Sequence, residues 1–166
     1  MSGKFTGAGV GPGDPELITC KALRVIRESS VIAVPVSDPE LQEPIRDSCP
    51  EKGRYSRYLE GCVAYQTARK ERKEVLFLPM PMIKDRERLK AVHDLDVGQV
   101  AELLDQNRDV VFLTLGDPSV YSTRMYVHKR LKRMGYETAL VPGVTSFCAA
   151  AARLDCSLAE NREELH

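Results

Sequence analysis

The chain has 166 residues, of which 24 are basic and 24 acidic, so its formal net charge is zero. This length suits one compact domain, or one domain and part of another, and a hydrophobic content of 43% is too high for a disordered chain. The neutral balance excludes the overall positive charge that is typical of a nucleic-acid-binding protein.

Short apolar runs alternate with helical patterns along the chain. In chain order the prediction is a strand at residues 4–9, a helix at 15–28, a strand at 31–36, a loop at 37–58, a helix at 59–72, a strand at 74–78, a short helix after Asp85, a second helix through 97–104, a strand at 109–115, a helix at 122–134, a strand at 138–141 and a helix at 146–154. This alternation predicts an α/β fold with a mostly parallel sheet flanked by helices.

Caps and breakers set several of these boundaries. Asp14 is a good N-cap, and Pro15 follows at the first helical position, where its missing N–H costs nothing. Pro79 cannot donate to a ladder, so the third strand is expected to end before it. Gly135 is expected to end the helix at 122–134. The side chains of that helix that are predicted to face inward are Val127, Leu131 and Met134.

Cysteine usage and hydropathy limit the kind of protein this is. The five cysteines include no C-x-x-C pair and form an odd total, so they predict neither a disulfide framework nor a zinc site. No apolar run approaches the roughly 20 residues that span a bilayer, and the first residues lack the apolar segment of a signal peptide. We expect a cytoplasmic protein with no membrane and no nucleic-acid partner.

Three glycine- or proline-bearing turns follow predicted strands, at residues 9–15, 116–119 and 142–146. These are termed the first, second and third turn. Because ligands of open α/β sheets bind beyond the carboxyl ends of the strands, the three turns together can build one crevice. The alternative is structural: glycines serve tight turns, Asp117 or Ser119 caps the helix that follows, and small residues pack a helix on the sheet.

The first turn does not fit a dinucleotide site. A G-x-G-x-x-G fingerprint that starts at Gly7 or Gly9 needs glycine at position 12 or 14, where the chain has Pro12 and Asp14. Prolines also remove the N–H donors that a phosphate needs, and an aspartate repels it. Asp117, directly after the most apolar strand, instead suits a ligand with positive charge or hydrogen-bond donors.

The three turns, in this order, resemble the tetrapyrrole (corrin and porphyrin) methylase family. That family opens with a strand followed by GxGPGDPxLxT, and this chain reads GVGPGDPELIT over residues 9–19. Further segments resemble the branch that methylates C20 of precorrin-2 or cobalt-factor II in cobalamin (vitamin B12) biosynthesis. They are VIAVPVS at 31–37, LPMPMIKDRERL at 78–89, FLTLGDPSVYST at 112–123 and YETALVPGVTSFCAAAARL at 136–154.

The resemblance implies S-adenosyl-L-methionine as the cofactor, with S-adenosyl-L-homocysteine as the product. Carried over by motif, the cofactor-binding residues are Pro12, Leu115, Gly116, Asp117, Val120, Tyr121, Thr145 and Ser146. The substrate is a small-molecule tetrapyrrole, and Arg124 and His128 are candidates to receive its carboxylates. The catalytic base is unknown, with Asp38 a weak candidate. Any cobalt arrives inside the substrate, so no protein metal site is expected.

The resemblance also implies a domain boundary. Residues 1–142 correspond to the family's N-terminal domain and residues 143–166 to the start of a C-terminal α/β domain that is largely missing, which predicts an incomplete cleft with little or no activity. A homodimer is expected at full length. Two other functions are considered: a non-catalytic ligand-binding or assembly module of the same α/β class, and an NAD-binding domain, which the broken fingerprint disfavours.

Overall fold

The structure is a computed structural model that describes residues 2–36, 73–80, 85–120, 122 and 125–160. Within these ranges the strands are β1 (Phe5–Gly9), β2 (Val31–Val36), β3 (Glu74–Pro79), β4 (Val110–Thr114) and β5 (Thr138–Val141). The helices are α1 (Cys20–Glu28), α2 (Arg86–Asp105), α3 (Met125–Arg133) and α4 (Ser146–Arg153), and a short 3-10 helix covers Pro15–Leu17. The loop and helix predicted at 37–72 lie outside the described residues, as do Asp38, Tyr121 and Arg124.

The five strands form one parallel sheet in the order β3-β2-β4-β1-β5. Each inner strand is an almost unbroken apolar run, since both of its faces are covered by helices or loops. β4 is central, and its Val110 pairs with Val31 of β2 on one side and with Phe5 of β1 on the other. The predicted α/β fold with a parallel sheet is therefore confirmed.

The helices divide between the two faces of the sheet. Ala22 and Ile26 of α1 are buried in one core cluster, together with Ala8 and Leu113 of the sheet. The other cluster contains side chains of both α2 and α3, packed on alternate strand residues that include Phe5 and Phe112. We refer to the two sides as the α1 face and the α2/α3 face.

The connections of β1 and β4 diverge where these two strands lie side by side. The chain leaves β1 towards the α1 face and leaves β4 towards the α2/α3 face. Divergence of two adjacent strands is the topological switch point at which open α/β sheets form their ligand crevice. The first and second turns stand at this point, at the carboxyl ends of β1 and β4.

The helix predicted at residues 15–28 is divided in two. Asp14 caps the 3-10 helix, since its side chain accepts a hydrogen bond from Glu16 N at 2.9 Å. The chain then becomes extended at Ile18 and Thr19, and the Thr19 hydroxyl caps α1 by accepting from Ala22 N at 3.2 Å. The prediction of one helix was wrong because a second good N-cap follows the first within five residues.

The two helices predicted after Asp85 are one helix of 20 residues. Asp85 is its N-cap, as predicted, and accepts hydrogen bonds from Glu87 N and Arg88 N at 3.0 and 3.2 Å. No proline interrupts α2, and its one glycine, Gly98, costs only about 1 kcal/mol relative to alanine in a helix. The helix therefore continues through that position.

The end of β3 and the orientation of Met134 also differ from the sequence prediction. Pro79 remains in β3 and pairs with Val36, which is possible because β3 lies at the edge of the described sheet. Met134 is 54% exposed, so its predicted inward position was wrong; α3 ends at Arg133, and Met134 lies beyond its last turn. Gly135 has a φ of +93° and ends this segment as predicted.

Candidate functional site

The first turn is joined to the second by backbone hydrogen bonding. Gly11, with a φ of +76°, accepts a hydrogen bond from Gly116 N at 2.8 Å through its carbonyl oxygen. Gly116 itself has a φ of +65°, a region that favours glycine. The connection lies directly over the junction of β1 and β4, so the crevice expected there is bridged by main chain.

Asp117 joins the second turn to the third. Its Oδ1 accepts a hydrogen bond from Ser119 N at 2.7 Å and another from the Ser119 hydroxyl. Its Oδ2 accepts from Gly143 N at 2.9 Å, across 26 residues of chain. One carboxylate therefore orders its own turn and fixes the position of the next.

The contact among the three turns depends on two glycines that have no room for a side chain. A Cβ on Gly143 would lie 2.2 Å from Gly116 O, and one on Gly9 would lie 2.5 Å from the same oxygen and 2.7 Å from Gly143 N. The displaced atoms would be backbone, which cannot move aside as a flexible side chain does. The three turns thus form one backbone cluster at the carboxyl edge of the sheet.

Two threonines complete the third turn. Thr145 is the N-cap of α4 and accepts from Cys148 N at 3.4 Å. Thr19, whose role the sequence did not predict, donates through its hydroxyl to Pro142 O at 3.4 Å while also capping α1. The start of α1 is therefore attached to the same backbone cluster.

This arrangement agrees with the comparison to known families. Residues 4–166 match the model of the family described as Tetrapyrrole (Corrin/Porphyrin) Methylases. The chain belongs to this family. The match covers nearly every residue, so it confirms the resemblance that the motifs of the three turns indicated.

Individual methylases resemble the chain over most of its length. It is 39% identical to a Methanocaldococcus jannaschii protein named probable cobalt-precorrin-2 C(20)-methyltransferase and 32% identical to the cobalt-precorrin-2 C(20)-methyltransferase of Salmonella typhimurium. These alignments cover 98% and 99% of this chain but 62% of each relative, so the chain spans less than two-thirds of their length. A solved cobalt precorrin-4 methyltransferase is 29% identical, with a TM-score of 0.61, over 95% of this chain and 53% of that one.

Most of the cofactor-binding residues that the methylase motifs predict lie at the backbone cluster of the three turns. Those that are partly exposed are Pro12, Leu115, Gly116, Asp117, Val120 and Thr145, and Ser146 is exposed. Tyr121 lies outside the described residues. The structure brings the second and third turns together through Asp117 and Gly143, whereas contact of these residues with a cofactor stays a prediction.

The chemistry of the cluster fits the cofactor that methylases of this kind use, S-adenosylmethionine. Residues 9–19, 114–120 and 142–146 contain no lysine or arginine and three carboxylates, at Asp14, Glu16 and Asp117. This set suits a ligand with a sulfonium and an amino group and opposes a phosphate. A dinucleotide is further disfavoured because α1 begins only at Cys20, so its N-terminus is not presented at the glycines of the first turn.

A partly buried polar cluster lies on the α2/α3 face of the methylase sheet. The His93 ring packs against the Tyr126 ring with 4.7 Å between centroids, and the Tyr126 hydroxyl donates to Asp94 Oδ1 at 3.1 Å. Burial lowers the pKa of His93 despite the nearby Asp94 carboxylate. Burial also raises the pKa of Tyr126, helped by its hydrogen bond to Asp94. On the same helix, burial raises the pKa of Asp96 to about 7.

One predicted substrate contact is contradicted. His128 is 9% exposed, and its ring lies 6.4 Å from that of Phe5, the first residue of β1. It is thus directed into the core towards the amino ends of the strands, so the prediction that it receives substrate carboxylates was wrong. Helical periodicity places it beside Val127 and Leu131, which the sequence already marked as inward.

The described residues contain neither a metal-ligand cluster nor a helix that could span a membrane. Within the described ranges, no group of three or more histidine, cysteine, aspartate or glutamate side chains is placed to hold a metal ion. No helix in the part of the chain that the structure describes is long and apolar enough to cross a bilayer.

Proposed function

We propose that this chain is part of an S-adenosylmethionine-dependent C-methyltransferase that acts on C20 of a precorrin-2-type tetrapyrrole in cobalamin biosynthesis. The observation that carries the proposal is the backbone cluster of the three turns, fixed by the Asp117 carboxylate on Gly143 N. The position of methylation is supported by identities of 39% and 32% to the two C20 relatives, against 29% to the precorrin-4 enzyme. Both C20 relatives are named for a cobalt-containing substrate, which favours cobalt-factor II over metal-free precorrin-2.

The cofactor would be held by the three turns. The proposed contacts are Pro12, Leu115, Gly116, Asp117, Val120, Tyr121, Thr145 and Ser146. When bound, S-adenosylmethionine supplies an electrophilic methyl group for transfer to a carbon nucleophile, and S-adenosylhomocysteine remains as the product.

The contribution of this chain to the reaction is positioning. Methyl transfer requires the two reactants to be held in line, and a fixed geometry supplies a large part of the rate enhancement. Gly9, Gly116 and Gly143 bring main chain into direct contact, which leaves the turns little freedom to shift. Asp117 holds the second and third turns at a fixed separation. The group that accepts the C20 proton is not assigned.

The proposal extends to domain organisation, assembly and location. Residues 143–166 would begin a second α/β domain, which is supported by the exposed apolar side chains at α4: Phe147 is 47% and Leu154 74% exposed, and Ala151 is the buried residue of the helix. A homodimer at full length and a cytoplasmic location belong to the same proposal. Light scattering of the full-length protein measures the assembly directly.

The first test is calorimetric titration of S-adenosylhomocysteine into this chain and into the full-length protein of which it is proposed to be part. We expect Asp117→Ala to weaken binding by about tenfold or more, because it removes a charge-assisted hydrogen bond that fixes the cluster. Asp85→Ala is the matched control, since Asp85 caps α2 through similar bonds but contacts none of the turns. Its affinity is expected within about twofold of the unaltered chain.

Two outcomes of this test would contradict the proposed site. Equal affinity in Asp117→Ala and the unaltered chain would show that the turns do not hold the ligand. Equal losses in Asp117→Ala and Asp85→Ala would show a general effect of removing an aspartate that accepts backbone hydrogen bonds. For the substrate, the full-length protein is supplied with methyl-labelled S-adenosylmethionine and with cobalt-factor II or precorrin-2, and the labelled product is assigned by NMR. Label at a carbon other than C20 would overturn the proposed position.

A further inference from the structure

The hydroxyl of Thr114 is buried beside the turns without a hydrogen-bond partner. Thr114 is the last residue of β4 and is 7% exposed. Among the described residues, its Oγ1 has no hydrogen-bond partner. Its backbone carbonyl is satisfied, since it accepts from Val10 N at 2.9 Å. The unpaired group is therefore the side chain alone.

The register of the sheet places this hydroxyl at the backbone cluster. Thr114 pairs with Gly9 of β1, and paired residues of neighbouring strands project to the same face. On that face the space next to Gly9 is occupied by Gly116 O and Gly143 N, at 2.5 and 2.7 Å from a Cβ position on Gly9. The Thr114 side chain thus lies next to the contact between the second and third turns.

The apolar core around Thr114 gives no structural reason for a hydroxyl at this position. The residues of β4 on the same face, Val110 and Phe112, are apolar members of the core cluster. Valine has nearly the shape of threonine and would bury no polar atom there. Leaving a hydroxyl unpaired in such a place destabilises the fold, and a ligand with a donor or acceptor at the turns removes that penalty.

We propose that the Thr114 hydroxyl forms a hydrogen bond with the S-adenosyl ligand, an inference that rests on the proposed function. Thr114 directly precedes Leu115, the proposed cofactor contact that adjoins the second turn. A hydroxyl both donates and accepts, and the ligand offers an amino group, a carboxylate and ribose hydroxyls. Thr114 is thereby a binding residue of the site that the methylase motifs did not include.

The experiment compares Thr114→Val, which removes the hydroxyl and keeps the shape, with Thr114→Ser, which keeps the hydroxyl. S-adenosylhomocysteine affinity is measured by calorimetry, and stability without ligand is measured as the urea midpoint. We expect Thr114→Val to bind about fivefold to tenfold more weakly, as for loss of one hydrogen bond. Its urea midpoint is expected to equal or exceed that of the unaltered chain. Thr114→Ser should bind within about twofold.

Each contrary result overturns either the proposed hydrogen bond or the proposed function. Unchanged affinity in Thr114→Val overturns the hydrogen bond to the ligand, and so does an equal loss in Thr114→Ser, because shape would then be the cause. A lower urea midpoint in Thr114→Val shows that the hydroxyl has a partner within the folded chain and also overturns the inference. Failure of the full-length protein, of which this chain is proposed to be part, to bind S-adenosylhomocysteine overturns the proposed function itself, and this inference with it.

Discussion

The two faces of the sheet bury different kinds of side chain. On the α1 face the core cluster is entirely aliphatic, formed by Ala8, Val10, Ala22, Ile26, Ile32, Val34, Val111, Leu113 and Val141. On the α2/α3 face it includes two phenylalanines and a methionine. Four of the buried polar residues of the described ranges also belong to that face: His93, Asp96, Thr114 and His128.

This difference predicts that the contribution of the α1 face to stability is independent of pH, whereas that of the α2/α3 face changes with pH or with a ligand. Aliphatic burial is non-directional and does not depend on protonation, so the α1 face stabilises the fold equally across the physiological pH range. Buried polar groups destabilise the fold unless they are paired, and their contribution changes with pH or with a ligand. Oδ2 of Asp96 and Oγ1 of Thr114, which have no hydrogen-bond partner among the described residues, both lie on the α2/α3 face.

The largest effect is expected from a cavity on the α1 face. Ile26 is fully buried, and Ile26→Ala should lower the free energy of unfolding by about 2–4 kcal/mol, from lost burial and an unfilled cavity. The loss should be the same at pH 5 and pH 8, measured by urea unfolding. Leu95→Ala is the control, because Leu95 is 69% exposed on α2 and should cost less than about 0.5 kcal/mol. Comparable losses in the two variants would remove the distinction.

A pH-dependent effect is expected on the α2/α3 face, at Asp96. Burial raises its pKa from 3.8 to about 7, so the folded state binds this proton more tightly than the unfolded state does. The stability that Asp96 contributes is present below pH 4 and is lost as the pH rises through about 7. Asp96→Asn, which stays neutral, should therefore raise the free energy of unfolding by about 1–3 kcal/mol at pH 8, with a gain that shrinks towards pH 4.

The pH dependence of His93 has the opposite sign. Burial lowers the pKa of His93 from its usual value of 6.5. The stability that neutral His93 contributes is therefore lost as the pH falls below 6.5. Because His93 is present in both proteins, the difference between Asp96→Asn and the unaltered chain isolates Asp96. Glu102→Gln removes one charge from an exposed position of the same helix and should change stability by less than about 0.5 kcal/mol. A gain in Asp96→Asn that does not vary with pH would contradict the assignment.

The sequence predicts the sheet better than the helix boundaries. β2 and β5 have the predicted limits, because a buried strand is encoded in a short local run of apolar residues. The break at Ile18 was missed because Asp14 and Thr19 are both good caps. Both caps are used, Asp14 by the 3-10 helix and Thr19 by α1, which packs Ala22 and Ile26 on the sheet.

At the candidate site, motifs identify the turns but not the contacts between them. GDPS and PGVTS point to the strand ends, yet the bond from Gly143 N to Asp117 joins residues 26 positions apart and requires the folded sheet. The unpaired hydroxyl of Thr114 is likewise visible only in the folded sheet. Strand alternation predicts that its side chain points to the α2/α3 face, but no local pattern shows that its hydroxyl is unpaired.

The smallest effect is expected at the rim of the α2/α3 face, where Asp94 bonds the Tyr126 hydroxyl and, at 2.9 Å, Arg130 Nη2. Both charged side chains are 38% exposed, so Asp94→Asn should cost only about 0.5–1 kcal/mol, and less at high salt. The control is Glu137→Gln, which breaks the more exposed pair with Lys4 and should cost less than about 0.5 kcal/mol. Urea unfolding at low and high salt measures both. If Asp94→Asn costs more than Asp96→Asn gains at pH 8, surface charge rather than buried polarity governs this face.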